Sequence, residues 1–144
     1  MPGVLLAVML IAVFLVIGGA LQFFGAAALL GKRPIPELLG TCLVSLAVMG
    51  TSGWLLYAQE KRKLGSTAPV SLYLLGMVLI HPLCNVLRTR GLYVPGPGLS
   101  DPSRPGGPGI YELGRYAVLL GLVFWVASSR ALKAYLASDR QDAR

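Results

Sequence analysis

From Val4 to Leu30 the chain runs for 27 residues without a charged side chain. As a helix that run is about 40 Å long at 1.5 Å per residue, more than the hydrocarbon core of about 30 Å. No water reaches such a depth, so every backbone donor and acceptor must be satisfied within the protein. Three further apolar blocks follow, beginning at Leu38, Val70 and Leu113. None alternates apolar and polar residues over about 10 positions, as a transmembrane strand would. The pattern predicts an all-α integral membrane protein: a four-transmembrane-helix bundle in one domain over residues 1–144, with spans at about 4–30, 38–58, 70–88 and 113–135. A loop over 91–110 joins the third and fourth spans, and a polar tail covers 137–144. Composition agrees, with 55% hydrophobic and only 13% charged residues, against about 25% charged in an ordinary soluble domain.

The connections can be read from their chemistry. No basic residue precedes the first span, so it lacks the charged start of a cleavable signal peptide and is expected to be retained. Gln22 is its one strongly polar side chain, and an amide at that depth needs a partner, expected on a neighbouring helix or, as the alternative, in a ligand. Lys32, Arg33, Pro34 and Pro36 stop that helix, and Glu37 suits the positive end of the next. Thr41, Ser45 and Ser52 share one face of the second span, where small residues let helices approach closely in lipid. Trp54 and Tyr57 precede a charged loop, the order expected at a membrane interface, and Pro69 suits the start of the third helix.

The third span holds the polar residues of greatest interest. His81, the single histidine, Asn85 and Arg88 fall within roughly 60° of one another at helical periodicity, with Arg90 just beyond. Pro82 has no N–H to offer the Val78 carbonyl, which predicts a kink or unwinding beside His81. The loop that follows, from Gly91, is rich in proline and glycine and predicts either a linker or a cap held by Leu92, Tyr93 and Val94. Glu112 and Arg115 begin the fourth block at a salt-bridge spacing, on the same side of the membrane as Arg88. The uncharged stretch from Tyr116 to Ser129 has 14 residues, about 21 Å of helix, so an arginine at its edge must snorkel. Beyond Arg130 a short amphipathic helix is expected to leave the membrane.

Net charge is +7. In a soluble protein that balance would suggest nucleic acid, but here the basic residues fringe apolar spans, where anionic headgroups are nearer partners; no nucleic-acid partner is expected. On four spans the two sides carry seven and six basic residues. If Arg88, Arg90 and Arg115 serve a site, the positive-inside rule places both termini in the cytoplasm.

Several chemistries are disfavoured. One histidine and two distant cysteines, Cys42 and Cys84, make no zinc set and no bis-histidine haem, so neither metal nor cofactor is expected. P-loop, GxSxG and HExxH motifs are absent from the sequence. Three functional classes fit. An accessory or scaffolding subunit, packed against other membrane subunits or a second copy of itself, needs the fewest special features. A lipid-binding or lipid-modifying protein would use His81, Asn85, Arg88, Arg90, Glu112 and Arg115 toward an anionic lipid, since arginine pairs bidentately with phosphate and histidine moves protons near neutral pH. An oligomeric transporter or channel would place its pathway at a break beside Pro82.

Overall fold

The computed structural model describes residues 2–61, 64–94 and 110–142, with side chains over 113–138 in the last stretch. Among the described residues there are five helices and no strand: α1 (Gly3–Ala28), α2 (Ile35–Glu60), α3 (Ala68–Thr89), α4 (Ile110–Ser128) and α5 (Arg130–Asp142). The first three are each long and apolar enough to cross a membrane. The fourth span is not one straight helix. Leu113–Ser128 and Arg130–Ser138 meet at 61°, so the candidate spans number three, or four if the bent pair crosses as one.

The bend has a local cause. Ser129 closes α4, its N–H reaching the Trp125 carbonyl at 2.9 Å. Its hydroxyl then accepts the Leu132 N–H at 3.2 Å, the geometry of a serine N-cap. The expected span over 113–135 is therefore divided at Ser129, because one serine ends one helix and starts the next. Leu132 and Leu136, one turn apart on α5, are both buried and turn that helix back onto the bundle.

Helices α1 and α2 form the most extensive pair, α3 and α4 the next. The first pairing depends on small residues. Thr41, Ser45 and Ser52 are all buried; a Cβ on Gly19 would lie 2.6 Å from Met49 Cγ and 3.2 Å from the Ser45 carbonyl, so the helices meet at a distance only glycine allows there. The Ser45 hydroxyl turns back to the Thr41 carbonyl at 2.8 Å, as serine in an apolar helix does when no other acceptor is near. Ser52 instead bonds across to the Tyr73 hydroxyl of α3 at 2.8 Å.

Apolar packing is concentrated at one end. Val4, Leu5, Val8, Met9 and Ala12 of α1 join Leu55 and Ala58 of α2, Val70, Leu74 and Met77 of α3, Val126 of α4, and Leu132 and Leu136 of α5 in a single cluster. These residues come from the start of α1 and α3 and from the end of α2 and α4. At the opposite end the first hairpin buries little apolar surface, while Phe14, Ile17, Leu21 and Phe24 of α1 lie exposed as acyl-chain contacts do. Replacing Ser129 by alanine removes the α5 cap and should cost about 1 kcal/mol. Ser128→Ala, at an exposed hydroxyl bonded only to its own helix, should be nearly neutral, and thermal unfolding of the two variants in detergent would separate them.

Candidate functional site

The core-facing stripe of α3 changes character along its length. Val70, Leu74 and Met77 are buried, and the same alternation of four and three residues continues through His81, Cys84 and Arg88, all half-buried. Spacing of that kind keeps side chains on one helix face. Asn85, expected to share the face of His81, is exposed, because the inward direction set by Val70 and Met77 favours Cys84 instead. Arg90 is exposed as well. The helix itself runs unbroken through Pro82; the predicted unwinding does not occur, and the proline lies exposed on the outer side.

Opposite this stripe, α4 supplies Arg115 and Tyr116, both half-buried. His81 Nδ1 and the Tyr116 hydroxyl lie 2.7 Å apart, with the rings edge to face at 5.7 Å between centroids. Either group can donate, depending on the imidazole tautomer. The side chain of Glu112, with its expected Arg115 salt bridge, lies outside the described residues.

The third wall comes from the chain just after α3. Gly91 takes φ +65°, its N–H reaches the Arg88 carbonyl at 2.9 Å, and the Leu92 N–H reaches the Leu87 carbonyl at 2.8 Å. Together these make a Schellman cap, in which glycine tolerates the left-handed backbone. The turn sends residues 92–94 across the start of α2. Gly40 has no side chain there, and a methyl group would overlap the Leu92 carbonyl oxygen. The Val94 N–H donates to Thr41 Oγ1 at 2.9 Å, while the Thr41 hydroxyl donates to the Glu37 carbonyl at 2.9 Å.

This course buries Tyr93. Its hydroxyl accepts a hydrogen bond from Gln22 Nε2 and stands within reach of the Cys84 sulfur and the charge of Arg115. Gln22 therefore finds its partner on the segment after α3 rather than on a neighbouring helix. Burial pushes the Tyr93 phenol above its ordinary ionisation range, more than the Gln22 bond and the Arg115 charge pull it down.

The arrangement gathers Gln22, His81, Cys84, Tyr93, Arg115 and Tyr116, with Arg88 one turn beyond Cys84, at the end of the bundle opposite the apolar core. Of the expected residues, His81, Arg88 and Arg115 are half-buried there. Two members, Cys84 and Tyr93, carry no strong sequence signal individually. Extending the Val70, Leu74, Met77 stripe would have found Cys84, and Gly91 at the close of an apolar helix is the signal for the turn that places Tyr93. Arginine, imidazole, amide and phenol together donate hydrogen bonds more readily than they accept them, which suits an anionic oxygen. Among the described residues no three His, Cys, Asp or Glu side chains converge as a metal ion requires. No protein-family model, curated protein or solved structure matches the chain.

The neutral Tyr93 phenol is the form that the fold favours, because its folded ionisation range lies above its unfolded one. Its contribution to stability should be complete below the ordinary tyrosine range and be lost as pH rises through the folded value. A near-ultraviolet titration of wild type minus Tyr93→Phe should show one phenol ionising later than the exposed tyrosines. A difference curve with the ordinary midpoint would contradict the buried setting.

Proposed function

We propose that this chain is a four-span membrane protein that binds the anionic headgroup of a membrane lipid at the polar end of its bundle. In this reading α4 and α5 count as one broken crossing and both termini face the cytoplasm. The observation that carries it is the bond between His81 of α3 and Tyr116 of α4, with Arg115 of α4 near enough for its charge to act on Cys84 and Tyr93 and Arg88 half-buried on the His81 stripe. Ionisable groups at membrane depth are costly, and they point to function when they face the protein interior. Arg115 and Arg88 supply charge and planar donors for a phosphate. The His81–Tyr116 pair, 2.7 Å apart, adds a further hydrogen-bond donor at that end.

An accessory-subunit role was tied to the small-residue face of α2, whereas Thr41, Ser45 and Ser52 of that face are buried within the chain itself. A transport pathway was tied to a broken helix beside Pro82, whereas α3 is helical across that position. The headgroup reading uses the inward polar groups, which the other two leave without a task.

Native mass spectrometry of the chain purified in mild detergent tests the proposal. With phosphatidylglycerol and phosphatidylcholine offered together, wild type should retain phosphatidylglycerol selectively. Arg115→Gln should lose about tenfold in that preference, the equivalent of one charge-assisted bond of about 1.5–3 kcal/mol, while remaining monodisperse. Inorganic phosphate at matched concentration separates a lipid site from a general phosphate site, since only the latter would be emptied by it. Equal retention of both lipids by wild type and variant would reject the reading.

A further inference from the structure

Residues 91–94 lie beside the polar groups at which the headgroup is proposed to bind. The Tyr93 hydroxyl already accepts the Gln22 amide hydrogen bond and lies within the field of Arg115. It thus holds the Gln22 amide, a donor that an anionic oxygen could use, beside the charge of Arg115. We infer that this segment is a strap that competes with the headgroup for the Gln22 donor and for the space near Arg115, so that lipid binds only when the strap leaves α2. The inference rests on the headgroup reading and adds to it a built-in regulator.

Three features make the strap a separable element. Its root is a Schellman turn closed within the chain itself, between Leu92 and Leu87 and between Gly91 and Arg88, so α3 keeps its end whether or not the strap is docked. Among the described residues its docking contacts on the first hairpin are the Val94 N–H bond to Thr41 Oγ1, the fit of Leu92 over Gly40 and the Tyr93 bond to Gln22. All three lie on the α1–α2 hairpin, while the strap is covalently part of the α3–α4 hairpin. Its release therefore parts the hairpins at the polar end, and the apolar cluster at the other end keeps them joined. The opening lies between the hairpins at the side, where a lipid can enter from the bilayer.

Gly40 is the lever for testing this. A methyl group at that position would overlap the Leu92 carbonyl oxygen while leaving every donor of the site intact. Thr41→Val, which keeps the side-chain shape but removes the acceptor for Val94, loosens the strap by a second route and serves if Gly40→Ala does not fold. Both are made in a Cys42→Ala background, leaving Cys84 as the single thiol.

Two readouts are then independent. Labelling of Cys84 by N-ethylmaleimide follows strap release, because Tyr93 stands against that sulfur. Retained phosphatidylglycerol, by native mass spectrometry, follows headgroup binding. If the strap is docked nine-tenths of the time, its removal strengthens apparent lipid affinity about tenfold. Gly40→Ala or Thr41→Val should label Cys84 about tenfold faster and retain more phosphatidylglycerol at subsaturating lipid, in proportion. Unchanged labelling in both variants overturns the strap. Faster labelling with lipid retention no higher than a parent that itself retains lipid overturns the competition and leaves the headgroup reading standing. Faster labelling with no selective retention in parent or variants removes the headgroup reading, and the competition with it.

Discussion

Two helical hairpins, α1–α2 and α3–α4, are joined by an apolar core that occupies only one end of the molecule. The consequences follow from what is missing at the other end. Apolar side chains gain little by leaving lipid for one another, so helices in membranes are held by close packing and polar contacts. At the core end Leu5, Leu55, Leu74 and Leu136 pack beside the Ser52–Tyr73 bond. At the opposite end Gly19 brings α1 onto α2, and described polar contacts to the second hairpin run through Tyr93 and Val94. One end is tightly assembled, and the other is joined by a strap.

That asymmetry gives the polar groups a setting in which they can act. His81, Arg88 and Arg115 would be expensive if aimed at acyl chains. His81 and Arg88 continue the α3 stripe that buries Val70 and Met77, Arg115 comes from α4, and all three are half-buried. Tyr93 then fills the space between hairpins with a ring that is apolar on its faces and polar at its tip. Its hydroxyl accepts the Gln22 hydrogen bond, and under the strap proposal hairpin separation and ligand access are the same motion.

The chain's serines and glycines show how local chemistry directs these larger relations. Ser129 ends α4 and caps α5, so that Leu132 and Leu136 can close the core end. Gly91 reverses the chain after α3, and Gly40 lets the reversed segment lie flat on α2. Each device is a single residue whose effect is felt across two helices.

Periodicity and length by themselves determined the helical class, the approximate limits of α1, α2 and α3, and the small-residue face of α2, because those depend on backbone satisfaction and on spacing within one segment. That His81, Asn85 and Arg88 fall within one sector of roughly 60° was also legible, since it follows from helical angle. Asn85 is exposed and the other two half-buried, because which edge of the sector faces inward depends on the neighbouring helix. A short helix beyond Arg130 was expected, but not the 61° bend at Ser129, because a capping serine and a helical serine look alike until the next helix has something to pack against. The pairing of Gln22 with Tyr93 was decided by tertiary structure alone. It joins residues 71 positions apart through a turn at Gly91 and a fit at Gly40, and no regular spacing in the chain encodes a contact made by two hairpins closing on a strap.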